Sequence, residues 1–169
     1  RKSRLALWQA HAVKQALEIH NPGLSIELLP ISTSGDENTQ VPLAEIGGKA
    51  LFVKELEISL LDGDADLAVH SAKDMPPTLH PDLLLACALP REDARDCFIT
   101  LDGKNLEDMP EGAIIGTSSP RRAAQVQHFY PHLCIQCLRG NVDTRLNKLR
   151  EGKYHGIILA TAGLKRRAR

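Results

Sequence analysis

Apolar residues along the chain recur in two rhythms, and the alternation between them outlines an architecture. Leu5, Trp8, Ala12, Ala16 and Ile19 repeat at helical spacing, with Ser3 placed to cap the start and Asn21-Pro22-Gly23 to stop the helix. Further helices are predicted over residues 51–61, 120–128 and 141–150. Short apolar runs at residues 25–31, 66–70, 83–89, 97–100, 113–116, 133–138 and 156–160 read as strands. Strands alternating with helices predict an α/β fold with mainly parallel sheets, whose functional loops gather at the C-terminal ends of the strands. The charged stretch Arg91-Glu92-Asp93-Ala94-Arg95-Asp96 interrupts the series. The expected organisation is therefore a first domain over 1–90, a hinge over 91–96 and a second domain over 97–169. Residues 32–48 form a long polar loop suited to covering a cleft.

Composition narrows the class. With 169 residues and 43% hydrophobic content, the chain can bury one ordinary core or two small ones, and no apolar run is long enough to cross a bilayer as a helix. The zero net charge conceals an asymmetry: residues 1–112 hold 10 Lys and Arg against 19 Asp and Glu, and residues 113–169 hold 11 against 2. A half carrying −9 is thus followed by a half carrying +9, which points to two mutually attracting lobes or to a basic lobe with an anionic ligand. Cys87, Cys97, Cys134 and Cys137 are too few and too irregular for a disulfide framework, so a reducing cytoplasm is expected. Cys134 and Cys137 form a CxxC, but in a strand positions three apart face opposite ways, and no second ligand pair completes a zinc site. No metal is expected. The chain starts at Arg1 and stops at Arg169 without a terminating turn, as a fragment would.

The basic half concentrates its arginines at two predicted strand-to-helix junctions. In Gly116-Thr117-Ser118-Ser119-Pro120-Arg121-Arg122, Ser119 is a favoured N-cap and Pro120 suits the first helical position. In Leu138-Arg139-Gly140-Asn141-Val142-Asp143-Thr144-Arg145, Asn141 is the cap, and Gly140 lets the backbone come close to a ligand. Free amides at a helix N-terminus beside planar guanidinium forks favour carboxylate or phosphate. A third polar cluster, Ser71-Ala72-Lys73-Asp74, follows the predicted strand at 66–70. At one rim of an α/β fold the three clusters would face a common cleft, with Asp74 an ionised carboxylate among cations, suited to stabilising a transient positive charge. Plainer readings stand beside these. Arg121 and Arg122 are also ordinary solvated helix-start residues, Lys73 and Asp74 an ordinary surface ion pair, and His70 a structural histidine.

Four motifs carry a resemblance. Gly47-Gly48-Lys49-Ala50-Leu51-Phe52-Val53-Lys54-Glu55-Leu56-Glu57, Ala68-Val69-His70-Ser71-Ala72-Lys73-Asp74-Met75-Pro76, and the two arginine junctions resemble, in order, the successive motifs of the hydroxymethylbilane synthase family, also called porphobilinogen deaminases. The resemblance implies two lobes like those of periplasmic binding proteins, in a monomeric cytoplasmic transferase of tetrapyrrole synthesis. It implies the deaminating condensation of four porphobilinogen molecules into hydroxymethylbilane on a dipyrromethane primer. Carried over by motif, Asp74 is the catalytic carboxylate, assisted by Lys73. Ser71, Lys73, Asp74, Thr117, Ser119, Arg121, Arg122 and Arg145 are implied to hold the primer. Arg1, Ser3, Lys49, Arg139, Gly140 and Arg145 are implied to handle substrate and the growing chain.

Two departures accompany it. Glu45 stands where the family commonly has a lysine. The family's third, α+β domain and its primer-bearing cysteine have no counterpart, since none of the four cysteines lies in the attachment motif. Two other functions compete. A non-catalytic two-lobed module closing on a small anion needs the arginines but not Asp74. A nucleic-acid binder would use the +9 half, but three Phe, two Tyr and one Trp make a poor stacking platform, so no nucleic-acid partner is expected.

Overall fold

The computed structural model describes residues 1–33 and 53–168. The cleft-covering loop expected at 32–48 falls almost wholly outside the described residues, as do Glu45 and Lys49. The chain divides into two compact units, Arg1–Pro90 and Arg91–Arg169.

In the first unit, α1 spans Arg4–His20, as its apolar spacing predicts. The Ser3 side chain accepts from the Ala6 amide at 3.3 Å, satisfying one of the donors a helix start leaves open. At the other end the Asn21 amide donates to the Leu17 carbonyl. The segment that follows is stapled back onto the helix: the Lys14 ammonium donates to the Ile26 carbonyl, and the Ile26 amide donates to the Glu18 carboxylate at 3.3 Å. Helix α2, Lys54–Leu61, has Glu55 and Glu57 in its first turn, where the helix dipole favours them, and buries Leu56 beside Val53.

The strands expected at 25–31, 66–70 and 83–89 are a correction: among the described residues, this unit contains none. An extended segment becomes a strand only when its amides and carbonyls find a ladder partner, and these find none among the described residues. Leu29, Leu67, Leu84, Leu85 and Leu89 remain largely exposed.

The second unit carries one mixed four-stranded sheet in the order β1-β4-β2-β3, with β1 at Asp96–Ile99, β2 at Ile114–Gly116, β3 at Cys134–Gln136 and β4 at Gly156–Ala160. β2 runs parallel to β3 and β4, whereas β1 is antiparallel to β4, with Asp96 opposite Ala160. Alternation along β4 divides two cores. Ile158 joins Met109, Ala113, Ile115, Val126 and Leu133, while Ile157 and Leu159 join Leu138 and Leu149. Helix α3, Pro120–Phe129, supplies Val126 to the first cluster. Helix α4, Val142–Arg150, supplies Leu149 to the second, which Leu164 of α5, Thr161–Ala168, also covers. Fully burying a side chain such as Leu138 or Ile157 contributes roughly 1.5–3 kcal/mol, so these clusters hold the sheet and helices together.

Two glycines permit the close packing. A Cβ on Gly116 would sit 2.7 Å from the Tyr154 ring, and one on Gly156 would enter the Phe98 ring. The expected strand at 133–138 shortens to three residues, with both Cys134 and Cys137 exposed and all four cysteines free.

The charged stretch at 91–96 is knitted into this unit. Asp93 accepts from Arg95 and from Lys165 at 2.9 Å, the Arg95 carbonyl accepts from the Thr161 amide at 3.0 Å, and Asp96 opens β1. Those two cations hold the Asp93 carboxyl far below the usual carboxylate range.

Candidate anion-binding site

In the second unit the two predicted junctions form as the sequence suggests. Ser119 caps α3, its side chain accepting from the Arg122 amide at 3.4 Å, with Pro120 opening the helix. Buried Thr117 holds the turn, its hydroxyl accepting from the Ser119 amide at 3.2 Å. Asn141 caps α4, accepting from the Thr144 amide at 2.9 Å and the Thr144 hydroxyl at 3.0 Å. Gly140 has φ +115°, and a Cβ there would lie 2.6 Å from the Thr144 methyl. That turn is therefore closed to a larger residue.

Both junctions follow the C-terminal ends of parallel strands, β2 and β3, so they share one rim of the sheet. Arg145, on α4, donates to the Gly140 carbonyl at 2.7 Å. Burial foremost, and then the charges of Arg122 and Arg139, lower its pKa, with Cys137 acting in the opposite sense. Arg122, Arg139 and Arg145 are thus drawn into one electrostatic neighbourhood. Lys148 closes its edge, donating to the Arg139 carbonyl at 3.1 Å. Like charges held together in a half-buried place repel, and an arriving anion relieves that repulsion.

One member of this site is absent from the sequence reading. Asp96, expected in a hinge, accepts from Arg122 at 2.7 Å and from Arg121 at 2.5 Å, one guanidinium on each oxygen. Burial alone would raise the Asp96 pKa, but the hydrogen bonds from Arg122 and Arg121 outweigh it and hold the carboxyl below its ordinary value. Arg122 is 14% exposed and donates also to the Ile158 carbonyl at 3.2 Å, whereas Arg121 is 60% exposed. No local sequence signal marks Asp96, which reaches the rim only because β1 runs antiparallel and starts where the parallel strands end. A groove of about 420 Å³ begins at Asp96 and Arg122 and continues along an apolar wall that includes Phe98, Leu106, Phe129 and Ile158.

In the first unit, Ala72–Asp74 forms one 3₁₀ turn, closed by the Asp74 amide donating to the Ser71 carbonyl at 2.9 Å, and Met75-Pro76-Pro77 prevents a longer helix. Asp74 is half-buried and Lys73 exposed. The Ser71 hydroxyl pairs with Gln9 of α1, whose amide nitrogen donates to it at 3.0 Å, so α1 anchors the loop. Burial lowers the His70 pKa, Asp74 raises it and Arg1 lowers it, so the structure brings Arg1 and Asp74 within electrostatic reach of one histidine. Ser3 is occupied as the α1 cap. Among the described residues, no group of three or more His, Cys, Asp or Glu is placed to hold a metal ion, and no helix is long and apolar enough to cross a membrane.

The profile described as "Porphobilinogen deaminase, dipyromethane cofactor binding domain" matches residues 1–169. The chain belongs to the porphobilinogen deaminase family. It is 58% identical to the porphobilinogen deaminase of Syntrophotalea carbinolica over 98% of its own length and 53% of that protein. It is 54% identical to the enzyme of Bordetella parapertussis over the same shares, and 53% identical to that of Ralstonia nicotianae over 98% of its own length and 50% of the relative. The chain thus spans about half the length of these porphobilinogen deaminases. Family membership implies a dipyrromethane cofactor in the full enzyme, and the donors described above fit one that carries carboxylates. Guanidiniums and capped helix starts converge at one rim, and the Arg122 Nε is buried with no hydrogen-bond partner.

Proposed function

We propose that the protein containing this chain is a hydroxymethylbilane synthase, joining four porphobilinogen molecules head to tail with release of ammonia at each step. The observation that carries this reading is the cationic rim of the second unit, built around Arg122 and Arg145 in a chain of this family. Porphobilinogen bears acetate and propionate groups, so substrate and product are polyanions that need such a rim. The units 1–90 and 91–169 each resemble a lobe of the periplasmic binding proteins. The protein works as a monomer in the cytoplasm, a compartment that suits four free cysteines.

Each residue has a task that follows from its chemistry. Arg121, Arg122 and Arg145, with the amides and hydroxyls of Thr117 and Ser119, hold the primer's carboxylates through charge-assisted hydrogen bonds. Ser71 and Lys73 add donors from the first unit. Arg139, Gly140 and Arg145 hold the growing chain, Arg1 and Ser3 place incoming substrate, and Lys49 screens the cleft. The bound dipyrromethane supplies the acceptor carbon to which the first substrate is joined. When the substrate's C–N bond breaks and ammonia leaves, positive charge develops on its pyrrole. Asp74 accepts from the pyrrole N–H and offsets that charge at the moment it forms.

The test is Asp74→Asn in the full-length protein. Removing a group that stabilises charge in the transition state costs about 10²–10³ in kcat. Bilane formation should fall by that factor while intact mass still shows the primer. Undiminished bilane formation would remove the catalytic role of Asp74, and a full-length parent that makes no bilane at all would leave a small-anion-binding module. Arg122→Leu should give folded protein lacking the primer, and normal primer content would contradict its role.

A further inference from the structure

We propose that Asp96 is the positioning carboxylate of the anion site, holding Arg121 and Arg122 in binding geometry before any ligand arrives. This rests on reading the rim as a site for acidic ligands, and gives a task to a residue that reading leaves without one. Topology explains its presence. Because β1 runs against β4 and Asp96 stands opposite Ala160, the first residue of β1 reaches the rim from which the arginine junctions emerge.

The contacts explain its effect. Its two oxygens take one guanidinium each, Arg122 at 2.7 Å and Arg121 at 2.5 Å. Arg122 is held at a second point by the Ile158 carbonyl at 3.2 Å, and two anchors fix the plane of a flat group. Without them, repulsion from Arg145 and Arg139 would favour swinging Arg122 out to water. The anchored guanidinium keeps its Nε buried and without a hydrogen-bond partner. One carboxylate shared by two guanidiniums, Arg121 and Arg122, leaves the trio with a net positive charge. Asp96 therefore orders the donors without neutralising them.

The sign of one measurement separates this role from its alternative. If Asp96 merely competes with ligand for the arginines, deleting its charge strengthens anion binding, as Coulomb's law alone requires. If it positions them, deletion weakens binding despite the more positive site. The experiment measures binding of inorganic pyrophosphate by calorimetry to primer-free full-length protein, at low and high ionic strength, for the parent, Asp96→Asn and Asp96→Glu. Asp96→Asn is expected to bind about tenfold more weakly. Asp96→Glu, which keeps the charge, is expected to recover part of the loss.

Equal or tighter binding by Asp96→Asn, or no binding by the parent, overturns the proposal. Should Asp96→Asn fail to fold, as read by its melting curve, Asp96→Glu decides: about threefold weaker binding supports the role, and parental affinity overturns it. Bilane synthesis by the parent is assayed alongside. A parent that makes no bilane but binds pyrophosphate in an Asp96-dependent way sinks the enzymatic reading alone. A parent that makes bilane, with pyrophosphate binding indifferent to Asp96, sinks only the positioning role.

Discussion

Residues 1–90 and 91–169 carry similar alternations of apolar and polar positions, yet among the described residues only the second unit turns them into a sheet. There the apolar residues of β4 are covered on both faces, and Leu138 and Ile157 are fully buried. In the first unit Leu84 is 78% exposed, and among the described residues no strand forms. A helix satisfies its backbone within itself, so α1 and α2 form from local pattern. A strand depends on a partner that local pattern cannot supply. The elements proposed to bind and react divide in the same way. The arginine rim is held by caps and a sheet, whereas Asp74 rides on a single 3₁₀ turn tied to α1 through Gln9 and Ser71.

That contrast can be broken by experiment. The largest difference is expected from core truncation: Leu138→Ala should cost about 2–5 kcal/mol in urea unfolding, while Leu84→Ala should stay within about 0.5 kcal/mol. Equal losses would mean that Leu84 is packed as tightly as Leu138. Gly140→Ala places a side chain at φ +115° against Thr144, so a loss of about 1–3 kcal/mol is expected, with weaker binding of acidic ligands at the rim. An unchanged melting temperature would show that the turn can adapt.

Cap removal should not distinguish the units. Ser3→Ala, Ser119→Ala and Asn141→Ala should each cost about 1 kcal/mol, since each side chain accepts from a helix-start amide. The smallest effect is on pH dependence. Burial disfavours the charged form of His70, so the unfolded chain takes up that proton more readily. Its contribution to the first unit is complete above about pH 6.5 and is lost as pH falls from there through the folded value. The Asp96 contribution in the second unit is complete above about pH 4 and fades only below it, as pH falls through its depressed folded value. A shift from about pH 7 to about pH 5, the window these ordinary values define, should therefore speed hydrogen exchange in the first unit and spare the second. His70→Gln should abolish the difference, and equal loosening of both units would refute it.

Much of the arginine rim was legible in the chain because its signals are local. Ser119-Pro120 and Asn141 mark helix starts by short-range chemistry, and both caps form as expected. The helix at Arg4–His20 and the strand at Gly156–Ala160 follow from periodicity in the same way. Asp96 was not legible, because its partners lie 25 and 26 residues away and meet it only through the reversed direction of an edge strand. Gln9 escaped for a like reason, bonding Ser71 across 62 residues. The runs at 25–31, 66–70 and 83–89 show the converse, since apolar alternation reports only the capacity to pair and no strand forms there.

The position of β4 ties folding to the proposed anion site through a shared phase. Shifting it by one residue would send Ile158 into the cluster that Ile157 and Leu159 now fill, turning both cores inside out, and would remove the carbonyl against which Arg122 rests. A single deletion between Gly156 and Ala160 should therefore disarm ligand capture and collapse the scaffold in one event, whereas length changes in exposed turns have no such reach.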